Sequence, residues 1–195
     1  MPSDWSLIGK DGRRKYLVDA EYAAFMAAVA QLPPRERAFC EALAGTGARI
    51  SEVLALRKRD IDRVAGSIVI KSLKKRKDKK TGQAKIHHRA VPVKPGLIAT
   101  LDLVFDLTRG KSETELWPEC YRTGYRWVMK AMESAGLEHF GPHSLRHTFG
   151  THCVMSGVAL TSLKKWLGHE NIDMTSHYAT PCDAEERKMA ERMWR

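Results

Sequence analysis

Three side chains able to hold an anion or move a proton share one helical face. His143, Arg146 and His147 stand at i, i+3 and i+4 in Pro142-His143-Ser144-Leu145-Arg146-His147-Thr148-Phe149. A zinc reading of His143 and His147 is weak: His-x-x-x-His has the metalloprotease spacing, but Ser144 stands where that motif needs its glutamate base. No metal is expected. Taken alone, a histidine-rich helix start is more often a hydrogen-bonded structural feature than a reactive one. A second cationic feature lies upstream. Between Lys71 and Lys94 there are ten Lys or Arg against one acid, Asp78, which is a net +9 of the chain's +10. Such density suits a polyanion, because each Lys or Arg that neutralises a phosphate releases condensed counterions. A solvated lysine loop that aids solubility is the other reading of the charge.

Four short segments change the weight of these features when taken in order. They are Thr46-Gly47-Ala48-Arg49-Ile50-Ser51-Glu52, then His143-Ser144-Leu145-Arg146-His147, then Leu167-Gly168-His169, and Tyr178 nine residues after His169. The series resembles the tyrosine recombinase (phage integrase) family from about Val18 to Tyr178. Any one of the motifs could arise by chance; four in order with the right gaps are specific. The resemblance implies a catalytic set of Arg49, Arg146, His143, His169 and the nucleophile Tyr178. It also implies a lysine on a β-hairpin, for which Lys74 is the first choice and Lys75 the second. An acid at the Glu52 position helps hold the active site in this family, so an Arg49–Glu52 pair is compatible with catalysis. The implied activity is site-specific DNA recombination: a tyrosine cuts and rejoins strands through a 3′-phosphotyrosyl intermediate, without metal, ATP or other cofactor. The alternatives are type IB topoisomerase-like relaxation and a catalytically decayed DNA-binding module.

These residue types fit that chemistry. A phosphodiester repels nucleophiles, and its pentavalent transition state gathers further charge on the non-bridging oxygens. Two guanidiniums, Arg49 and Arg146, can clamp those oxygens through bidentate, charge-assisted bonds. A phenol with a pKa near 10 is mostly protonated at pH 7, so Tyr178 needs a base and nearby positive charge. His143 or His169 could accept or orient its proton. A hairpin lysine could protonate the leaving 5′ oxygen. Lys71, Lys75, Arg76, Lys77, Lys79, Lys80, Lys85 and Arg89 are expected to meet the DNA backbone, with His87 and His88 nearby.

The elements that must position these groups can be read from periodicity and punctuation. Asp19 is expected to cap a helix running through Phe25 and Val29, which Pro33-Pro34 stops. A second helix over Arg35–Ala44 should end at Gly45, and Arg49 should open a short helix with Ile50, Val53 and Leu54 inward. Ser67–Ile70 and Arg89–Val93 are β-branched runs around a lysine- and glycine-rich stretch, hence a hairpin with a long basic tip. Helices are expected near Gly96–Leu107 and Tyr121–Ala135, from His143, and over Leu160–Leu167 with Gly168 as the stop. Asp183–Arg195 has the pattern of a charged amphipathic tail helix. The expected fold class is mainly α (α+β), a helical tyrosine-recombinase catalytic domain with a small three-stranded antiparallel β-sheet.

Bulk properties bound the rest. A chain of 195 residues, 43% hydrophobic and 29% charged, suits one globular domain. No apolar run approaches the ~20 residues that span a bilayer, and the start is too polar for a secretory signal, so a cytoplasmic, nucleoid-associated place is expected. Cys40, Cys120, Cys153 and Cys182 are scattered, as reduced structural thiols would be. The expected division is a polar, loosely ordered segment at 1–17, a catalytic domain at 18–182 and a tail at 183–195, without the family's N-terminal clamp domain. The expected partners are double-stranded DNA and further copies of the chain, monomeric in solution and tetrameric on paired sites. No membrane partner is expected.

Overall fold

The computed structural model describes residues 7–9, 11–72, 76–77, 84–85, 87–169 and 172–179. Helix α1 spans Asp19–Ala30, α2 Pro34–Thr46 and α3 Ile50–Leu54. Strands β1 (Ile61–Asp62), β2 (Ser67–Lys71), β3 (Arg76–Lys77), β4 (Ala84–Lys85) and β5 (His88–Pro92) follow. Helices α4 (Pro95–Phe105), α5 (Tyr121–Ser134), α6 (Pro142–Met155), α7 (Leu160–Leu167) and α8 (Asp173–Ser176) complete the order, ending in a 3-10 turn at His177–Ala179. The fold is mainly helical, with a three-stranded antiparallel sheet in the order β1-β2-β5. A separate short ladder pairs β3 with β4. Ser72 N donates to His87 O, so pairing extends one step past the β2–β5 ladder toward the basic tip.

Pro34, Pro95 and Pro142 each stand at a helix start, one residue ahead of the expected openings at Arg35, Gly96 and His143, because a missing N–H costs nothing there. Two further boundaries differ. Val18, not Asp19, is the residue before α1, because the Glu21 carboxylate reaches back to accept from Val18 N at 2.9 Å and pairs with Arg14. Helix α2 runs through Gly45 and stops at Gly47, which is left-handed (φ +61°). A Cβ on Gly47 would lie 2.6 Å from the Phe149 ring, so both conformation and space call for glycine there.

Helix α2 is buried around most of its circumference and packs on α1, α4, α5 and α6. Phe39 is its centre, meeting Trp117 and Trp127 edge-on at 5.5 and 5.3 Å. Trp117 keeps its indole N–H satisfied on Arg35 O. A second, smaller cluster joins Leu7, Tyr16, Leu163, Leu167 and Tyr178. The segment ahead of α1 is therefore docked where it is described, rather than loose: Tyr16 and Leu17 are buried, and Leu17 N donates to Thr148 Oγ1 at 2.9 Å. Among the described residues no helix is long and apolar enough to cross a membrane.

Replacing Gly47 by alanine is expected to lower the unfolding free energy by about 2 kcal/mol or more, from left-handed strain plus overpacking on Phe149. Urea denaturation followed by circular dichroism measures it; an unchanged midpoint would show that the turn relaxes freely.

Candidate active site

Glu52 anchors the site. It lies on the inner side of α3 with its side chain 1% exposed. Its carboxylate accepts from Arg49 N (3.0 Å) and Arg49 Nη1 (3.1 Å). It also accepts from Arg89 Nη2 (2.6 Å) and Arg89 Nη1 (3.3 Å). Burial by itself would raise this carboxyl, but the hydrogen bonds and charge of Arg89, and then of Arg49, hold it below the usual carboxylate range.

Arg146 is buried and locked at both ends. Its Nη1 donates to Gly47 O and its Nη2 to Leu167 O, each at 2.7 Å. The turn after α2 and the end of α7 thus fix one guanidinium. Burial, followed by the charge of Arg49, pushes its pKa down to about 9. Arg49, Arg146, His143 and Tyr121 line an open cleft of about 220 Å³. His143 is exposed at its mouth. A larger apolar cleft of about 770 Å³, walled by Tyr22, Met26, Phe149 and Trp166, lies elsewhere and includes neither arginine.

Tyr178 is fully buried beside this cleft, within the electrostatic reach of Arg146 and Arg49. Its Oη lies 3.3 Å from His147 Nδ1, in a direction set by the imidazole tautomer. Its ring lies on Gly150: a Cβ there would sit 2.5–2.7 Å from the phenol carbons. Burial pushes the phenol pKa up to about 12, even though both arginines pull it down. His169 is buried too, with Nδ1 3.0 Å from Thr175 Oγ1 and its ring parallel to that of Tyr178 at 6.3 Å between centroids. Burial, then Arg146 and Arg49, pushes its pKa down to about 3, so it is neutral at pH 7.

Arg49, Arg146, His143, His169 and Tyr178 therefore gather in one region. The phenol oxygen meets a histidine other than the two expected, His143 and His169. It is His147, whose only sequence signal was its i+4 place on the His143 face. Gly150 and its notch had no signal at all. Arg89 does not face outward as expected: its side chain is 6% exposed because the β5 alternation turns it inward onto Glu52. Lys71 is exposed. Arg76, Lys77 and Lys85 lie on the short β3–β4 ladder, whereas Lys74, Lys75, Lys79 and Lys80 lie outside the described residues. Helix α5 adds an unexpected exposed face of Tyr121, Arg122, Tyr125 and Arg126, with the two tyrosine rings stacked at 6.4 Å. No group of three or more His, Cys, Asp or Glu among the described residues could hold a metal ion.

The phage integrase family model matches residues 15–185. This chain belongs to the phage integrase family. Tyrosine recombinase XerC of Staphylococcus aureus (strain USA300) is 30% identical over 161 residues, 80% of this chain and 52% of that protein. The chain spans about half the length of the curated relatives it matches. The crystal structure of XerA recombinase superposes with a TM-score of 0.76 at 24% identity, covering 91% of this chain and 64% of that one. The pre-cleavage complex of XerH site-specific recombinase with its difH substrate gives 0.65 at 22% identity, covering 96% and 60%. These likenesses show that the helical fold with its small sheet is the phage integrase fold.

Two outcomes test the site. Alanine at Gly150 should unseat Tyr178, so tetranitromethane should nitrate Tyr178 in that variant while the wild-type residue stays protected; equal protection in both would refute the notch. The low His169 pKa means the folded protein binds fewer protons than the unfolded chain between about pH 3 and the ordinary histidine value of about 6.5. Acidification through that window therefore costs stability, and His169→Gln should lessen the loss between pH 7 and pH 5. Parallel denaturation curves for the two proteins across that range would rule the effect out.

Proposed function

We propose that this chain performs site-specific DNA recombination, using Tyr178 to cut and rejoin strands through a 3′-phosphotyrosyl bond. The observation that carries this reading is that Arg49 and Arg146 line one open cleft, while Tyr178 packs in one cluster with Leu167, whose carbonyl accepts from Arg146. Family membership and the DNA-bound state of the XerH relative support a duplex as the substrate.

A scissile phosphate seated in the cleft would place its non-bridging oxygens against Arg49 and Arg146, with His143 at the rim. Burial, and then the neighbouring arginines, depresses Arg146 and His169; an anion offsets the share due to the arginines, so phosphate binding and the charge of the site favour each other. Tyr178 leaves its buried seat to reach that phosphate. As Oη bonds to phosphorus, the phenol proton passes to an imidazole; His147, the partner of the phenol in its buried seat, is the proposed acceptor. The bond to the 5′ oxygen breaks, and that oxygen takes a proton, with Lys74 or Lys75 of the hairpin as the proposed donor. The phosphodiester energy stays in the tyrosyl ester, so rejoining by the free 5′ hydroxyl needs neither ATP nor metal. The basic hairpin and the Tyr121/Arg122/Tyr125/Arg126 face of α5, whose Tyr121 lines the cleft, are the proposed backbone contacts. Exchange between two duplexes involves four strands and one nucleophile for each, which makes a tetramer on paired sites the proposed active assembly and a monomer the free form. A cytoplasmic, nucleoid-associated location follows from that substrate.

The test is incubation with a library of nicked suicide duplexes carrying a randomised core, with EDTA present. SDS-resistant protein–DNA adducts that enrich a defined sequence, and that Tyr178→Phe abolishes, are expected. Relaxation of supercoiled plasmid without sequence enrichment would instead favour a topoisomerase, and DNA binding without any adduct would favour a non-catalytic module.

A further inference from the structure

Residues on the inward side of β5 alternate with outward ones. Arg89 and Val91 are buried, while His88, Ala90 and Pro92 are exposed. An arginine therefore occupies a position whose strand neighbour, two residues on, is an apolar core residue. Its guanidinium touches two other elements besides its own strand. Two nitrogens grip the Glu52 carboxylate on α3, and Nε donates to Trp166 O, near the end of α7, at 2.7 Å. The same ends of chain position the arginines of the cleft: Glu52 holds Arg49, and Leu167 O, one residue beyond Trp166, holds Arg146.

Resting on the reading of Arg49 and Arg146 as the phosphate clamp, we propose that Arg89 is a positioning residue. Through Glu52 and the end of α7 it aligns both arginines, and it couples them to the strand that carries the basic hairpin. Lysine cannot replace it. A lysine is a point charge on a flexible stem, which can meet one carboxylate oxygen but cannot span Glu52 and the Trp166 carbonyl with a rigid fork. Removing the charge altogether would strand Glu52 in the interior, so Arg89→Ala is expected to unfold or lose stability broadly. Arg89→Lys keeps the charge and is the informative change.

The experiment uses the sequence enriched as adducts and compares wild type with Arg89→Lys, after melting curves have established that the variant is folded. DNA affinity and its dependence on salt should be unchanged. The maximal rate of adduct formation at saturating DNA should fall at least tenfold, without a matching rise in KM. The defect should shrink on a substrate whose scissile phosphate carries a methyl in place of one non-bridging oxygen, because that linkage has no charge for the arginines to hold. Combining Glu52→Gln with Arg89→Lys should slow the reaction no further than the worse single change. A shallower salt dependence, by about 0.9 in the log–log slope for one lost phosphate contact, would mean that Arg89 touches DNA directly and would overturn the proposal. An unchanged rate would overturn it as well, and so would a defect of equal size on the methylated substrate. If wild type forms no adduct on any DNA, the recombination reading fails by itself. The positioning claim is then decided by the Arg49 Nε–H resonance, which must shift in Arg89→Lys if Arg89 acts through Glu52 and stays in place if it does not.

Discussion

A single carboxylate taken out of water sets the terms for this site. Glu52 is all but inaccessible, and an isolated buried charge of that kind would be strongly unfavourable. The protein answers with two guanidiniums from different elements, Arg49 from the start of α3 and Arg89 from β5, and with a backbone N–H. Each partner gains a fixed orientation in return. Such a pair is weak evidence of stability, because desolvation offsets much of the attraction. What it supplies is geometry: the hairpin strand, α3 and the end of α7 cannot shift independently without leaving a charge unmatched.

The charges around that carboxylate do not cancel. Arg49, Arg89 and Arg146 surround one buried acid, and the surplus falls on the neighbouring groups. Arg146 and His169 both lose affinity for protons, chiefly through burial and then through the nearby arginines. His169 is left as a neutral hydrogen-bonding group. The excess is located beside an open cleft, where an anion from outside is the natural complement. An interior built only for stability would not keep like charges together in this way.

Tyr178 belongs to a different part of the packing. Its ring joins Leu7, Tyr16, Leu163 and Leu167 in the smaller apolar cluster, over the bare backbone of Gly150. That environment favours the neutral phenol, against the pull of both arginines. Arg146 is thus locked by buried hydrogen bonds and Arg49 by half-buried ones, while the tyrosine is held by apolar contact and a hydrogen bond to His147. In the proposed reaction, the arginines that hold the phosphate and the tyrosine that travels to it are stabilised by different kinds of interaction.

Much of this was legible along the chain. Proline at the helix starts and Gly168 at the end of α7 fixed boundaries that are local in origin, and the β-branched runs at Ser67–Ile70 and Arg89–Val93 marked the paired strands. The order and spacing of Arg49, His143, Arg146, His169 and Tyr178 marked the family. Glu21 displaced Asp19 as the group that caps the start of α1, and Gly47 rather than Gly45 ended α2; both choices rest on neighbours that periodicity does not register. Tertiary structure alone decided that Arg89 turns inward to Glu52, that His147 meets the phenol, and that Gly150 makes room for it. The reason is physical. Residue type and spacing report what a side chain can do and which face it lies on, but the partner it meets there is contributed by segments distant in sequence. Composition cannot tell a guanidinium facing a phosphate in water from one facing a carboxylate in the core.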